Sequence, residues 1–309
     1  MSSCYRAYGL TIASDIALLG PRASGGTKID VDIREGFVPE RLEAIETETL
    51  HWAANADELL LDVPRVGRFH VRHGRTVRYS PRIGAPAQMV QAFLLGSCLG
   101  AVLHQRGQQV LHGSVVARGD TAFAICGKSG AGKSTSAAWL LERGARMISD
   151  DLAVLATVDP PLVLPGYPQA KLTGAALARL GRGTSDLQKL PDDRDKYAVP
   201  RGASFLDREL PLGAIFVIER HDRSELSAFR LDHAQAIAAL VKHTYRRHYV
   251  VGSRAADHYR AWAKVADQVP VWFVGRPRGA DTIEVVVAAM AREIEALASL
   301  RTEADRDGE

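Results

Sequence analysis

The sequence predicts an α/β protein with a small β-rich module at its N-terminal end. Three observations predict it. Short aliphatic or alternating runs, Lys28–Ile33, Glu58–Val63 and Arg68–Val71, are punctuated by Gly, Pro, Asn and Asp within residues 1–84. Two strand-like runs, Gln109–Ala117 and Thr121–Cys126, are joined by Arg118-Gly119-Asp120, a hairpin signal. A glycine-rich stretch, Gly127–Ser134, then opens a helix-forming run, after which strand-like and helix-like segments alternate. The expected domains are residues 1–84, residues 85–300, and a polar tail at 301–309.

The N-terminal module is expected to be mostly strands with one helix at most. Pro81-Arg-Ile-Gly-Ala-Pro86 marks a hinge, and Ala87–Gln105 reads as a helix with Met89, Val90, Phe93, Leu94 and Leu103 on a broad apolar face. The most apolar stretch, Ala92–Leu103, is too short to cross a bilayer and reads as buried. Beyond the glycine-rich stretch, Lys133–Arg143 should be a helix ended by Gly144. Strands are expected at Arg146–Ser149, Leu152–Thr157, Leu162–Leu164 and Ala214–Glu219. Helices are expected at Thr173–Arg179, His233–Tyr245, Ala255–Ala266 and Thr282–Leu300. Residues 181–206, rich in Gly, Pro and Asp, read as a loop region, and the tail as frayed.

Composition narrows the function classes. Of 309 residues, 46% are hydrophobic and 24% charged, the balance of a soluble globular chain. A net charge of +3 is too small to argue for a nucleic-acid or membrane partner. Cys4, Cys98 and Cys126 are odd in number and lack any CxxC spacing, so neither a disulfide framework nor a zinc site is indicated. His243, His248 and His258 show no ligand spacing either. The first residues have no apolar core of a secretory signal, and the expected location is the cytoplasm.

Gly127-Lys-Ser-Gly-Ala-Gly-Lys-Ser134 fits G-x-x-x-x-G-K-[ST] in full, with a strand before it and a helix after it. Glycines there let backbone N–H groups approach phosphate oxygens without a Cβ in the way, and the helix adds the positive end of its dipole. Gly127, Lys128, Ser129, Gly130, Ala131, Gly132, Lys133, Ser134 and Thr135 are therefore expected to cradle the phosphates of a nucleotide. Lys133 would reach the β- and γ-phosphates, and Ser134 would place its hydroxyl on Mg²⁺. An antiparallel pair leading into such a loop is unusual, because common P-loop enzymes use parallel strands with helical crossovers.

A P-loop enzyme needs a second acidic group for its metal, usually at the end of a neighbouring strand. Asp150 and Asp151 follow Arg146–Ser149 and fit that place. One carboxylate can serve Mg²⁺ while the other accepts the proton of an attacking hydroxyl, with the assignment open between them. Adjacent strand residues point to opposite faces, so both reach one site only if the strand ends there. His112 lies in the strand paired with the one feeding the loop; by itself it reads equally as structural or functional. Lys171, Lys196, Arg246 and Arg247 are secondary candidates for phosphate contacts, Lys196 first among them.

Together these features resemble the HPr kinase/phosphorylase family, which shares its nucleotide-binding fold, with a mixed sheet, with phosphoenolpyruvate carboxykinase. The matching text is Leu111-His-Gly-Ser-Val, the loop Gly127–Ser134, and Glu142-Arg-Gly-Ala-Arg-Met-Ile-Ser-Asp-Asp151. It covers residues 105–155 closely and extends weakly through Leu164-Pro-Gly-Tyr-Pro168 and Pro211-Leu-Gly-Ala-Ile-Phe-Val217. The resemblance implies an ATP- and Mg²⁺-dependent serine kinase in which Asp150 or Asp151 is the base, with His112 nearby, Lys133 on the phosphates, and homo-oligomers common among its members. The family's E-[IV]-R-G-x-G stretch has no counterpart; Leu180-Gly-Arg-Gly-Thr-Ser185 does not match it. That departs from the reverse phosphorolysis and from HPr as substrate. The opening Tyr5-Arg-Ala-Tyr-Gly-Leu-Thr-Ile-Ala-Ser14 and the Leu164–Pro168 segment look like a divergent branch associated with lasso peptides. That branch implies the C-terminal serine of a precursor peptide as acceptor. A small-molecule kinase, and a nucleotide-responsive module without turnover, are the alternative readings.

Overall fold

Alternation of buried and exposed side chains builds the first part of the chain into one sheet. Val31 and Ile33 on one strand and Phe69, Val71 and Val77 on others are almost wholly buried, the period-2 pattern of strands with one face on a core. The computed structural model describes residues 3–24, 26–156, 158–190, 195–278 and 282–307. By contact the chain forms two units, Met1–Val110 with Tyr245–Ala261, and Leu111–Thr244 with Trp262–Glu309. The sequence reading places a boundary at residues 84/85; the helix after it counts with the first unit.

The first unit holds eight strands: β1 (Ser3–Ala7), β2 (Leu10–Ser14), β3 (Val31–Glu35), β4 (Thr47–Thr49), β5 (Trp52–Ala54), β6 (Glu58–Val63), β7 (Gly67–Arg72) and β8 (Thr76–Pro81). Their order is β1-β2-β3-β8-β7-β6-β5-β4, parallel at β2–β3 and β3–β8. Among the described residues no helix precedes Ala87, so the one helix allowed for in this module does not form. Helices α1 (Ala87–Phe93) and α2 (Leu99–Gln105) follow, joined by a π-helical turn, Leu94–Cys98. The whole stretch Ala87–Gln105 is long and apolar enough to cross a membrane, longer than the apolar run alone suggested, and most of it is buried within the structure. Tyr245 packs on this helix, where a Cβ at Gly100 would meet its ring at 2.7 Å.

The second unit is a mixed α/β layer structure. It contains β9 (Gln109–Arg118), β10 (Thr121–Gly127), α3 (Lys133–Glu142), β11 (Arg146–Ser149), β12 (Leu152–Ala156), β13 (Leu162–Leu164), β14 (Gln169–Thr173), α4 (Gly174–Arg179), β15 (Gln188–Lys189) and β16 (Lys196–Pro200). Then come β17 (Leu210–His221), β18 (Ser227–Arg230), α5 (His233–His243), α6 (Ser253–Gln268, shared with the first unit), β19 (Val271–Pro277) and α7 (Ile283–Asp307). β10 pairs antiparallel with β9 and parallel with β17. β17 runs parallel to β19, and β18 closes the edge antiparallel to β19.

β10 is buried along its whole length, as a central strand covered on both faces must be. Phe123 and Ile125 pack with Val286, Val287 and Met290 of α7. Ala122, Ala124 and Cys126 join the opposite cluster with Leu240 of α5 and Trp262. Each large side chain so buried contributes about 1.5–3 kcal/mol. These two cores fix the end of β10, and with it the loop that follows.

Several expectations need correction. Residues 181–206 are not a plain loop: β15 and β16 pair with the unanticipated β14 in a three-stranded sheet. β18 and β19 were also missed, and β17 is longer than Ala214–Glu219. The helix beginning at Ile283 runs to Asp307 instead of giving way to a frayed tail at 301. Residues 157, 191–194 and 308–309, part of the expected strand, loop and tail, lie outside the described residues.

Candidate active site

Gly127, the last residue of β10, has φ 147°, and a Cβ there would stand 2.2 Å from the Ile218 carbonyl oxygen. Gly130 (φ 80°) and Gly132 (φ 113°) also occupy the half of conformational space that side chains disfavour. The loop therefore needs glycine for its shape, and α3 starts directly beyond it at Lys133. Lys133 is buried, and its Nζ donates to the carbonyl oxygens of Gly127 (3.0 Å) and Lys128 (3.1 Å). Burial lowers its pKa, opposed by the charges of Asp151 and Asp150. Lys128 itself is exposed.

The acidic pair sits beside this loop. β11 ends at Ser149, and Asp151 takes a left-handed conformation, φ 73°, which costs on the order of 1–3 kcal/mol for a non-glycine residue. That turn removes the alternation constraint, so both neighbouring carboxylates bond to Lys171. Asp150 is buried; its Oδ1 accepts from Ser134 Oγ (2.9 Å) and Ser114 Oγ (2.5 Å), and its Oδ2 from the Lys171 backbone N–H (2.7 Å). Asp151 Oδ2 accepts from Lys171 Nζ at 2.8 Å, and its Oδ1 lies 3.6 Å from His112 Nδ1. Burial alone would raise the Asp151 pKa, but Lys171 and then His112 outweigh it and hold the carboxyl far below the usual range.

His112 Nδ1 is 3.1 Å from the Asp151 carbonyl oxygen, which also accepts from the Gly113 N–H at 3.3 Å. A Cβ at Gly113 would lie 2.7 Å from the Ile125 carbonyl oxygen, so this close strand contact requires glycine. Burial and then Lys133 lower the His112 pKa, favouring the neutral ring.

These groups surround a cleft of about 330 Å³. Its lining includes His112, Ser129, Gly130, Gly132, Lys133, Ser134, Thr135 and Asp151, but not Asp150. Lys171 and Lys196, both secondary candidates, line it too, with Arg179, Arg220 and Arg276. So many cations in a partly closed cleft focus a positive potential suited to a polyphosphate. Arg246 and Arg247 belong to the first unit, where Arg246 lies over the rings of Tyr245 and Tyr249. His243 is buried against Glu219 (3.3 Å), His248 tilts against Trp52, and His258 stands edge-on to His104. Cys4, Cys98 and Cys126 are free thiols.

Ser114 and Arg276 went unanticipated. Ser114 was legible: it stands two residues from His112 on β9, hence on the same face. Arg276 Nη1 reaches the Ala131 carbonyl oxygen (3.4 Å) and would meet a Cβ at Gly132 at 2.9 Å, so it packs on the glycine loop from β19. Nothing in the motif text points to it.

Metal fit rests on the donor set. Among the described residues no group of three or more His, Cys, Asp or Glu could hold an ion by itself. The adjacent Ser134 hydroxyl and Asp150 carboxylate instead suit Mg²⁺, which takes few protein ligands and completes its octahedron with water and phosphate oxygens.

No protein-family model matches the chain, and no curated protein matches it. Among solved structures, it is similar to the Hpr(Ser) kinase/phosphatase from Coxiella burnetii at 9% identity and a TM-score of 0.31. The match covers 63% of this chain and 99% of that one.

Proposed function

We propose that this protein is an ATP-dependent kinase that transfers the γ-phosphoryl group to a serine hydroxyl of a peptide or protein. The observation that carries the reading is the placement of Ser134 against Asp150, with Asp151 facing the same cleft beside His112 and Lys171. A cradle for nucleotide alone has no need of a second carboxylate at the cleft.

Division of labour follows from the contacts. Asp150 accepts from the Ser134 hydroxyl, which lines the cleft, so these two would share Mg²⁺, Asp150 directly or through water. Asp151 lines the cleft and is kept ionised. It accepts the hydroxyl proton as the acceptor oxygen bonds to the γ-phosphorus and the bond to the ADP oxygen breaks. Such a low pKa makes Asp151 a weak base, which suffices because a loose phosphoryl-transfer transition state asks for little proton removal in advance. Lys171 and His112 aim the carboxylate. Mg²⁺ would neutralise the charge on the transferring phosphates.

Lys133, the loop amides and the arginines of the cleft hold the phosphates in line with the acceptor. The acceptor proposed is the C-terminal serine of a lasso-peptide precursor, supported by the sequence resemblance of residues 5–14 and 164–168. The protein is expected to work in the cytoplasm. Incubation with ATP, Mg²⁺ and serine-ended peptides, read by intact mass, tests it: one added phosphoryl group on the terminal serine supports the reading. Labelling of a metabolite with every peptide untouched would replace it with a small-molecule kinase.

A further inference from the structure

Arg201, at the end of β16, is 5% exposed, yet its Nε and Nη2 have no hydrogen-bond partner among the described residues. Buried guanidinium groups are costly unless paired, because the charge leaves water and five donors need acceptors. Its backbone N–H donates to the Pro168 carbonyl at 2.9 Å. It lines a cleft of about 280 Å³ together with Arg182, Glu142 and Ser204. Glu142 accepts from Arg182 Nη2 at 2.7 Å, which leaves the positive charge of Arg201 without a counter-charge in hydrogen-bond contact.

We propose that this cleft is a second anion site, separate from the glycine loop, which takes a small oxyanion on Arg201 and Arg182. The oxyanion is a phosphate or carboxylate, whose paired oxygens match the fork of a guanidinium. None of the residues lining it lines the Asp151 cleft, so the inference stands whatever reaction the other site performs. Burial and then Arg182 press against the Arg201 charge, while Glu142 and Asp150 support it. An anion in the cleft, close to both guanidinium groups, would add to that support.

The test uses the full chain carrying Lys133→Ala, which weakens the glycine loop as a phosphate site. Its melting temperature is followed against inorganic phosphate and against acetate, at ionic strength matched with chloride. A ligand that binds only the folded state raises the melting point with concentration. Stabilisation by either anion that disappears when Arg201→Met is added supports the site. The loss of affinity expected is about tenfold or more. Without anion, Arg201→Met should melt no lower than its parent, since the substitution removes a buried unpaired charge. If that variant does not fold, Arg182→Met, whose parent side chain is 44% exposed, takes its place with a smaller loss expected. No stabilisation by phosphate or acetate overturns the proposal, as does stabilisation that the arginine substitutions leave unchanged.

Discussion

Ser134 Oγ donates to Asp150 Oδ1 across 2.9 Å although the two residues are 16 apart in sequence. Helix α3 and strand β11 lie between them, and the sheet folds that excursion back onto the loop. The contact joins the hydroxyl and the carboxylate proposed to share the metal.

Lys133 is held by the loop it is proposed to serve. Its Nζ is bonded to the carbonyls of Gly127 and Lys128, bonds it can exchange for phosphate oxygens. Lys133→Ala should weaken ATP binding by about ten- to a hundredfold, the worth of a charge-assisted contact. Titration calorimetry with a non-hydrolysable ATP analogue measures it, with the melting temperature as a check on folding.

Ser114 supports Asp150 from a strand the motif does not include. Ser114→Ala deletes the 2.5 Å bond but leaves Ser134 and the Lys171 amide in place. A cost of about 1.5–3 kcal/mol in stability is expected for a bond to a carboxylate, read as a shift of the urea midpoint. The Mg²⁺ concentration needed for half-maximal activity should rise as well.

Gly127→Ala tests the geometry of the cradle. Its Cβ would fall 2.2 Å from the Ile218 carbonyl in a conformation, φ 147°, that alanine resists. Either β10 separates from β17 there or the loop shifts. Destabilisation of about 1–3 kcal/mol is expected, with ATP binding lost even in the folded fraction. Chemical unfolding and nucleotide titration measure the two effects separately.

His104 makes the first unit sensitive to acid. It is buried with one ring nitrogen 2.7 Å from the Tyr245 carbonyl oxygen, and burial pushes its pKa down from 6.5 to about 4. A histidine neutral in the folded state and protonated when unfolded contributes nothing adverse above pH 6.5, and folding stability falls as the pH drops from there towards 4. The loss approaches about 3 kcal/mol for a shift of this size. Unfolding midpoints measured across that window should decline in the wild type and less steeply in His104→Leu, where His258, pushed down by burial to about 4, keeps part of the effect.

Much of the second unit was legible because strong local signals coincide there. The glycine motif, the strand Thr121–Cys126 and the helix ended by Gly144 each predict the same arrangement, and the hairpin joined by Arg118-Gly119-Asp120 forms in register. What was missed lacks such signals. β14 and β16 carry Lys171, Lys196 and Tyr197 in short, half-polar runs, and their pairing across residues 174–195 is a long-range event with no local mark. β19 lies between Pro270 and Pro277, and its parallel partner β17 is far off in sequence. Arg276 was lost with it. At the site, the left-handed turn falls at Asp151; aspartate tolerates that conformation better than most residues, but nothing in the sequence marks which of two adjacent aspartates makes the turn.

Asp151 is proposed to face the acceptor while Asp150 and Ser134 hold the metal. Asp151→Asn keeps the shape of the side chain and removes the charge. The most direct measurement is therefore single-turnover phosphoryl transfer to a serine peptide alongside ATP–Mg²⁺ affinity, for wild type and Asp151→Asn. The account predicts affinity within a few-fold of wild type and transfer slower by roughly 10²–10⁴-fold. Transfer at the wild-type rate in that variant, with binding intact, would contradict it.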